Sequence, residues 1–198
     1  MEEDRELQRR ILAGDAAALE ALIDALTRPL RRVAEAYVGK GGGADDLVQE
    51  TWEAVLDHLA DFEGRSSLRT WITRILVNRA ITRRGKDRRF VSLDAETAEQ
   101  LDPRLSSVGF WTSAPAHAGP EDALLRKEAS GWLVAALDGL PPLQRAVVTL
   151  RDVEEWSSED VCNALEVSES NQRVLLHRGR QRLRSVLEES VRGRACDR

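Results

Sequence analysis

The chain has 198 residues, of which 42% are hydrophobic and 32% charged, and its formal net charge is −5. This length and balance suit one or two small globular domains and exclude a disordered chain, and the apolar runs are too short for a membrane-spanning helix. The amino terminus is charged from its second residue and the two cysteines lack metal-ligand spacing. We therefore expect a cytoplasmic protein without a secretory signal and without membrane insertion.

The net charge hides two strongly basic blocks. Residues 65–90 carry nine basic and one acidic side chain, and residues 171–198 carry eight and three. Residues 1–64 and 131–170, in contrast, have net charges of −8 and −6. Separated cationic blocks in an acidic chain predict two contacts on one polyanion, and solvated helix faces are the simpler alternative.

Helical periodicity dominates the amino-terminal part of the chain. Apolar side chains recur at the i, i+3, i+4, i+7 spacing in runs that begin at Leu19, Leu30 and Trp52, which predicts amphipathic helices packed on one another. The sequence KGGG at 40–43 is expected to interrupt the helices, and Asp45 and its neighbour Asp46 are expected to open the next one.

A further helix is predicted around Trp71. Ser66 and Ser67 are candidate caps for its start, and Gly85 is a plausible stop. Between residues 91 and 119 the periodicity fades into a segment rich in Pro, Gly, Ser and acidic residues, which is typical of a linker. We therefore predict an all-α chain, with small helical domains at 1–90 and 120–198 joined by a flexible acidic linker at 91–119.

The second domain ends in the pattern of a helix-turn-helix. A short helix is predicted at 159–165 with Ser157 or Ser158 as its cap, a turn at 166–168, and a basic helix at 169–189 capped by Ser168 or Ser170. In such units the second helix enters the major groove, and residues at its start meet base edges.

The start of that second helix carries side chains suited to duplex DNA. Asn171 and Gln172 can pair with adenine and Arg173 with guanine. Arginines further along the helix are better suited to phosphates, and they are Arg178, Arg180, Arg182 and Arg184. An ordinary surface hairpin of helices is the alternative.

The Trp71 segment combines aromatic, amide and basic side chains, which suits single-stranded nucleic acid, whose unstacked bases can enter a pocket. The alternative is that Trp71 and Phe62 are simply core. The stretch DDLVQETW at 45–52 has a polar face, which we interpret as a docking surface for a protein. A metal site at Asp46, Glu50 and His58 is conceivable, but caps and a solvated face explain these side chains better.

Together, these segments resemble the small bacterial sigma factors of the extracytoplasmic-function (ECF) group, within the sigma-70 superfamily. The stretch at 45–52 resembles the helix that grips the β′ clamp helices of RNA polymerase. FEGRSSLRTWITRILVNRAITRRGKDRR at 62–89 resembles the part of region 2 that melts the −10 element and holds its non-template strand. Residues 140–184, beginning LPPLQR, resemble region 4, whose helix-turn-helix reads the −35 element.

The resemblance implies a non-enzymatic, cofactor-free subunit that binds core RNA polymerase through the β′ clamp helices and the β flap, recognises and melts promoter DNA, and is held by an anti-sigma factor. The polymerase contact would comprise Asp45, Asp46, Gln49, Glu50 and Glu53. The −10 strand would meet Arg65, Ser66, Trp71, Arg74, Asn78, Arg79, Arg83 and Arg84. The −35 duplex would meet Ser170, Asn171, Gln172, Arg173, His177, Arg178 and Arg180.

Two positions depart from the family pattern. Glu166 stands where such a turn commonly has glycine, so the turn must avoid a left-handed residue or be strained. Gln172 stands where the family is often apolar, which makes it either a base reader or a surface residue. The main alternative function is a helix-turn-helix regulator that acts on duplex DNA without polymerase, and a metal-dependent enzyme ranks last.

Overall fold

The computed structural model of the chain describes residues 2–83 and 133–196. The regular structure within these ranges is helical, which confirms the predicted all-α class. The first range contains α1 (Glu2–Leu12), α2 (Ala16–Val38), α3 (Gly42–His58), a 3-10 turn (Leu59–Asp61) and α4 (Leu68–Arg83). In the second range residues 133–138 are helical, followed by α5 (Pro142–Val148), a π-helical segment (Thr149–Val153), α6 (Ser158–Leu165) and α7 (Glu169–Cys196). The predicted linker at 91–119 lies outside the described residues.

Serine side chains cap three of these helices, each by accepting a hydrogen bond from a backbone N–H in the first turn. Ser67 Oγ accepts from Thr70 N at 3.1 Å, Ser157 Oγ from Asp160 N at 3.0 Å, and Ser168 Oγ from Asn171 N at 3.2 Å. Of the candidate serines named for each helix, the cap is therefore Ser67, Ser157 and Ser168.

Two helix boundaries differ from the sequence-based expectation. The third helix begins at Gly42 rather than at Asp45, because Gly39 and Gly41 take φ values of 79° and 147° that side chains disfavour, and they complete the reversal early. The last helix, α7, extends to Cys196 rather than ending at 189.

One continuous core joins the two described ranges. Helices α2, α3 and α4 bury apolar side chains against one another, with Leu30, Leu47 and Leu76 among the most buried. The same cluster continues into the second range, because α2 packs on α5 and α4 packs on α6. The two units are therefore in contact, which the sequence had left open.

Candidate nucleic-acid interface

The loop that leads into α4 is held in place by the first helix. Gln8 Nε2 donates to the carbonyls of Leu59 at 2.7 Å and Phe62 at 3.1 Å, and Arg5 donates to the carbonyl of Glu63 at 2.8 Å. Helical periodicity carries no sign of this role, because it depends on contacts with carbonyls more than fifty residues away. Gln8 and Arg5 are thus positioning residues that sequence reasoning missed.

Trp71 combines a core contact with an exposed edge. Its ring centroid lies 5.5 Å from that of the buried Phe62, with the planes tilted by 59°. Trp71 itself is half-buried, so part of its ring faces solvent. Phe62 is therefore a core residue, as the structural alternative predicted. Trp71 packs on the core and also borders a cavity, so it can contribute to a binding site as well.

That cavity gathers four of the predicted −10 residues. It has a volume of about 420 Å³, within the range of ligand pockets. Its lining includes Phe62, Arg65, Ser66, Trp71, Arg74 and, from α6, Asn163. The exposed part of an aromatic ring can stack a base, and the arginines beside it can hold the phosphate.

A groove of about 690 Å³ lies between α3 and α4, next to this cavity, and is lined by further residues predicted to bind the −10 strand. Its lining includes Glu50, His58, Trp71, Asn78, Arg79 and Arg83. The Arg83 guanidinium lies 3.5 Å from carboxylate oxygens of both Asp46 and Glu50. The residues predicted for polymerase and for the −10 strand therefore adjoin one another. Arg84 lies outside the described residues.

The predicted polymerase-binding residues share one side of α3. Asp45, Asp46, Gln49 and Glu53 are exposed and Glu50 is half-buried, whereas Leu47 and Val48 point into the core. Asp45 pairs with Arg31 at 3.1 Å, and Gln49 donates to Glu53 at 3.2 Å. This surface is available to a protein partner.

The described residues offer neither a cluster of metal ligands nor, at Cys162, an activated thiol. No cluster of at least three His, Cys, Asp or Glu side chains there could hold a metal ion, and His58 pairs with Asp61 at 3.1 Å instead. Burial raises the pKa of the Cys162 thiol, which keeps it protonated and weakly nucleophilic. Among the described helices, none is both long and apolar enough to cross a membrane.

The helix-turn-helix presents part of the predicted base-reading edge. At the start of α7, Ser170 and Arg173 are exposed and Asn171 is half-buried. Arg173 pairs with Glu169 one turn earlier at 3.2 Å, an exposed pair that DNA can displace at little cost.

Gln172 is not part of this edge. Its side chain is only 2% exposed, and Ser158 Oγ donates to its Oε1 at 3.1 Å across the helix-turn-helix. The expectation that it reads a base or lies on the surface is therefore wrong. Its position faces the interior of the unit, in agreement with the apolar residues that the family often has there.

Three arginines of α7 form hydrogen bonds with other side chains of the protein. Arg180 makes two bonds to the Asp152 carboxylate, at 2.5 and 3.0 Å, and Arg182 donates to Gln144 at 2.9 Å. Arg184 is 5% exposed and donates to Glu188 at 2.7 Å.

These bonds change the expected roles of the arginines. Arg180 bonds α7 to the π-helical segment, and Arg182 bonds it to α5. A phosphate contact by Arg180 would therefore compete with its bonds to Asp152. Burial contradicts the phosphate contact expected of Arg184. His177 and Arg178 are half-buried.

Comparisons with known proteins match both units. The sigma-70 region 2 family model matches residues 22–90, and the sigma-70 region 4 model matches residues 130–183. The solved structure of the sigma factor RpoE in complex with the anti-sigma factor NepR from Bartonella quintana is similar in fold. Its TM-score is 0.58 at 23% identity, over 86% of this chain and 96% of that one. CnrH in complex with the cytosolic domain of CnrY gives a TM-score of 0.61 at 20% identity, over 94% and 97%.

Curated relatives of this chain are named as RNA polymerase sigma factors. ECF RNA polymerase sigma factor SigG of Mycobacterium tuberculosis is 36% identical over 81% of this chain, which spans about half (47%) of that relative's length. ECF RNA polymerase sigma factor SigX of Bacillus subtilis is 31% identical, over 73% of this chain and 70% of SigX. A probable RNA polymerase sigma factor of Haemophilus influenzae is 30% identical, over 80% and 84%. These matches favour the sigma-factor interpretation over a separate helix-turn-helix regulator, and the chain belongs to the ECF group of RNA polymerase sigma factors.

Proposed function

We propose that this chain binds core RNA polymerase and directs promoter recognition, promoter melting and transcription initiation, with no reaction of its own. The observation that carries the proposal is the adjacency of two surfaces on α3 and α4. Glu50 of the acidic side of α3 lines one groove with Asn78, Arg79 and Arg83 of α4. The cavity beside Trp71 adjoins that groove, because Trp71 lines both. A protein-docking surface beside a single-strand site is what a promoter-melting subunit of a polymerase requires.

In this proposal the melted −10 strand follows the groove into the cavity. Asn78, Arg79 and Arg83 lie along the groove, where they can meet phosphates and base edges. A base turned out of the duplex enters the cavity and stacks on the exposed part of the Trp71 ring, a contact worth about 1–3 kcal/mol. Arg74 at the cavity wall pairs with the exposed Glu166 carboxylate, which a phosphate of the strand would displace.

The −35 duplex meets the start of α7. Because Gln172 is buried, the residues left to read bases are Ser170, Asn171 and Arg173. In domain terms, residues 1–90 act as region 2, residues 91–119 as the linker and residues 120–198 as region 4, which also meets the β flap. One of the two similar structures holds a sigma factor in complex with an anti-sigma factor. We extend this to the present chain as control by an anti-sigma factor in the cytoplasm.

The test is reconstitution with bacterial core RNA polymerase and transcription from a pool of genomic fragments, with mapping of the RNA 5′ ends. We expect discrete starts that share two spaced upstream elements. Duplex binding without polymerase, together with no discrete starts, would replace this proposal by the ordinary regulator.

Charge reversal on α3 tests the polymerase contact. Asp46→Arg is expected to abolish binding to core polymerase while leaving the circular dichroism spectrum unchanged. Asp24→Arg, an equal charge change at an exposed site on α2, is the matched control and should bind normally. Unimpaired binding by the Asp46 variant would remove α3 from the polymerase contact.

The base-reading role of Arg173 has its own test. Arg173→Ala should weaken binding to a −35 duplex by about 1–3 kcal/mol and relax the preference at one base pair. A uniform loss across unrelated sequences would mean that Arg173 touches only phosphate.

A further inference from the structure

We infer that Gln8 and Arg5 of α1 control which base the cavity beside Trp71 accepts, although neither side chain lines that cavity. They act as positioning residues, because they hold the loop at 62–66, called the cavity loop below, all of whose residues line the cavity. The inference rests on the proposed function, since it names residues that govern base selection at the proposed −10 site.

Helix α1 carries a polar side chain on the face that it turns toward the protein. Leu7 and Ile11 are half-buried and pack against the core, and Gln8, which is also half-buried, lies on the same side of the helix. An amide in this place needs hydrogen-bond partners, because a polar group that loses water without gaining a partner costs free energy. Gln8 finds its partners in backbone carbonyls of another segment.

Those carbonyls lie at the end of α3, where backbone carbonyls lack partners within the helix. Leu59 is the C-cap of α3 and begins the 3-10 turn. Gln8 Nε2 donates to the Leu59 carbonyl at 2.7 Å and, at 3.1 Å, to the carbonyl of Phe62, which follows the turn. One amide group therefore ties both sides of the turn to α1 and fixes the place where the cavity loop starts.

Arg5 holds the middle of the cavity loop. Its guanidinium donates to the Glu63 carbonyl at 2.8 Å. Its side chain also lies so close to Gly64 that a Cβ there would be 2.5 Å from Arg5 Nε. Gly64 has a φ of 68°, which other residues adopt only at a cost. The cavity loop and α1 are therefore fitted to one another at this glycine.

The cavity loop carries side chains that a base would meet. Phe62 supports the Trp71 ring from the core, and Arg65 and Ser66 line the cavity. A serine hydroxyl can donate or accept and an arginine can only donate, so the positions of these two groups decide which base edge is matched. Selective binding requires such groups to be held within about 0.5 Å by supporting hydrogen bonds. The bonds from α1 give this support without touching the base.

Base selection is measured with the full-length chain bound to core RNA polymerase and a barcoded promoter library in which each position of the −10 element is randomised. Counting the RNA barcodes gives the base preference at each position. Gln8→Met keeps the length of the side chain and loses the N–H donor. We expect it to lower the preference for the best base over the next by about 2- to 10-fold at one −10 position, with the preferences at the −35 element unchanged.

Two further variants separate positioning from a general effect on the fold. Gln8→Glu places a carboxylate against the same two carbonyl oxygens, so it should flatten the preference further than Gln8→Met. Leu12→Ala, at a side chain of α1 that is 53% exposed, is the control and should leave every preference unchanged. A uniform loss of transcription across the library, with the preferences intact, would overturn the inference, because α1 would then only stabilise the fold.

Arg5→Ala gives an independent test on the same loop. It releases the Glu63 carbonyl and leaves Gln8 in place, so it should change the preference at the same −10 position as Gln8→Met. No change, or a change at another position only, would contradict the shared role of the two residues.

Amide hydrogen exchange in the free chain tests the loop without DNA or polymerase. The Phe62 N–H donates to the Leu59 carbonyl at 3.2 Å, and Gln8 donates to the same carbonyl. Gln8→Met should therefore speed the exchange of the Phe62 amide by about 2- to 10-fold, and Leu12→Ala should not. Equal exchange in Gln8→Met and the parent would show that Gln8 does not hold the loop.

The two proposals fail in different ways. If no promoter is transcribed but the Phe62 amide exchanges faster in Gln8→Met, α1 holds the cavity loop and the sigma function falls. If promoters are transcribed but their −10 preferences do not respond to Gln8, only the role of α1 in base selection falls.

Discussion

Gly179 lies where α7 crosses α5, and a single methyl group there should reverse the usual effect of removing a helical glycine. A Cβ at this position would lie 2.6 Å from Val148 Cγ2, with the Gln144 carbonyl oxygen at 3.6 Å behind it. Carbon atoms pack best at about 3.5–4.0 Å, so the helices would have to move apart by roughly 1 Å.

The expected magnitude is a difference between two opposing effects. Glycine to alanine in a helix interior gains up to about 1 kcal/mol. Inserting a methyl group into a packed core costs about 1–3 kcal/mol, and Val148 is almost fully buried, so it has no free space to enter. Gly179→Ala should therefore lower the free energy of unfolding by up to about 2 kcal/mol.

A double-mutant cycle tests this reasoning. Val148→Ala alone should cost about 1–2 kcal/mol through lost apolar burial. Combined with Gly179→Ala, it removes the clash, so the pair should be coupled favourably by about 1–3 kcal/mol. Urea unfolding of the four chains, followed by circular dichroism, measures each term.

Gly43→Ala is the control, because its nearest atom, Val38 Cγ2, lies 3.9 Å away and the substitution should not destabilise. If Gly179→Ala stabilised the protein, or if the two changes added within about 0.5 kcal/mol, the close approach of α5 and α7 would be refuted.

Three further predictions concern single side chains. Glu155→Gly should raise the free energy of unfolding by about 1–2 kcal/mol through relief of a left-handed residue. Glu166→Gly relieves the same positive φ, but its gain in unfolding free energy should be about 0.2–1 kcal/mol smaller, because it also removes the ion pair with Arg74. Equal gains for the two variants in thermal unfolding would show that this ion pair adds no stability. Gln172→Leu should change stability by less than about 1 kcal/mol and leave base preference unchanged, and a loss of specificity at one base pair would restore its reading role. Asp15 caps α2, and the hydrogen bond from the Ala18 N–H and then Arg10 lower the pKa of its carboxyl from 3.8. The stability that this carboxylate contributes is therefore present above 3.8 and is lost as the pH falls through the lower pKa of the folded state. Asp15→Asn should flatten that acid-side dependence in a pH series of thermal melts, and an unchanged profile would show that the cap does not titrate.

Local signals account for the parts of the structure that the sequence anticipated. Periodicity identified the inward side of the helices that contain Leu19, Leu30 and Trp52, because the core selects apolar side chains at that spacing. Ser67 and Ser168 were each one of two candidate caps, because a cap bonds to a backbone group only about three residues away. The polar side of α3 was also recognisable, because polar and apolar residues at 45–52 alternate with the period of a helix.

For some residues, the amino-acid type led to a DNA-binding role that the structure does not support. Arg180 and Arg184 were counted among basic groups available to DNA, but both bind carboxylates within the described structure. Gln172 looked like a base reader beside Asn171, yet its direction around the helix places it against Ser158. Charge and residue type say what a side chain can bind, and only its surroundings say what it does bind.

The sequence by itself indicated most of the helices and their order, the two basic blocks and the resemblance that identifies the family, although it gave no sign of α1 (Glu2–Leu12). Each of these depends on residues close together in the chain or on a motif with fixed spacing. The tertiary structure decided the rest: the cavity beside Trp71, the bonds by which Gln8 holds the loop, and the contact of Glu166 with Arg74. These join residues far apart in sequence, and their positions follow from how the helices pack, which no local pattern encodes.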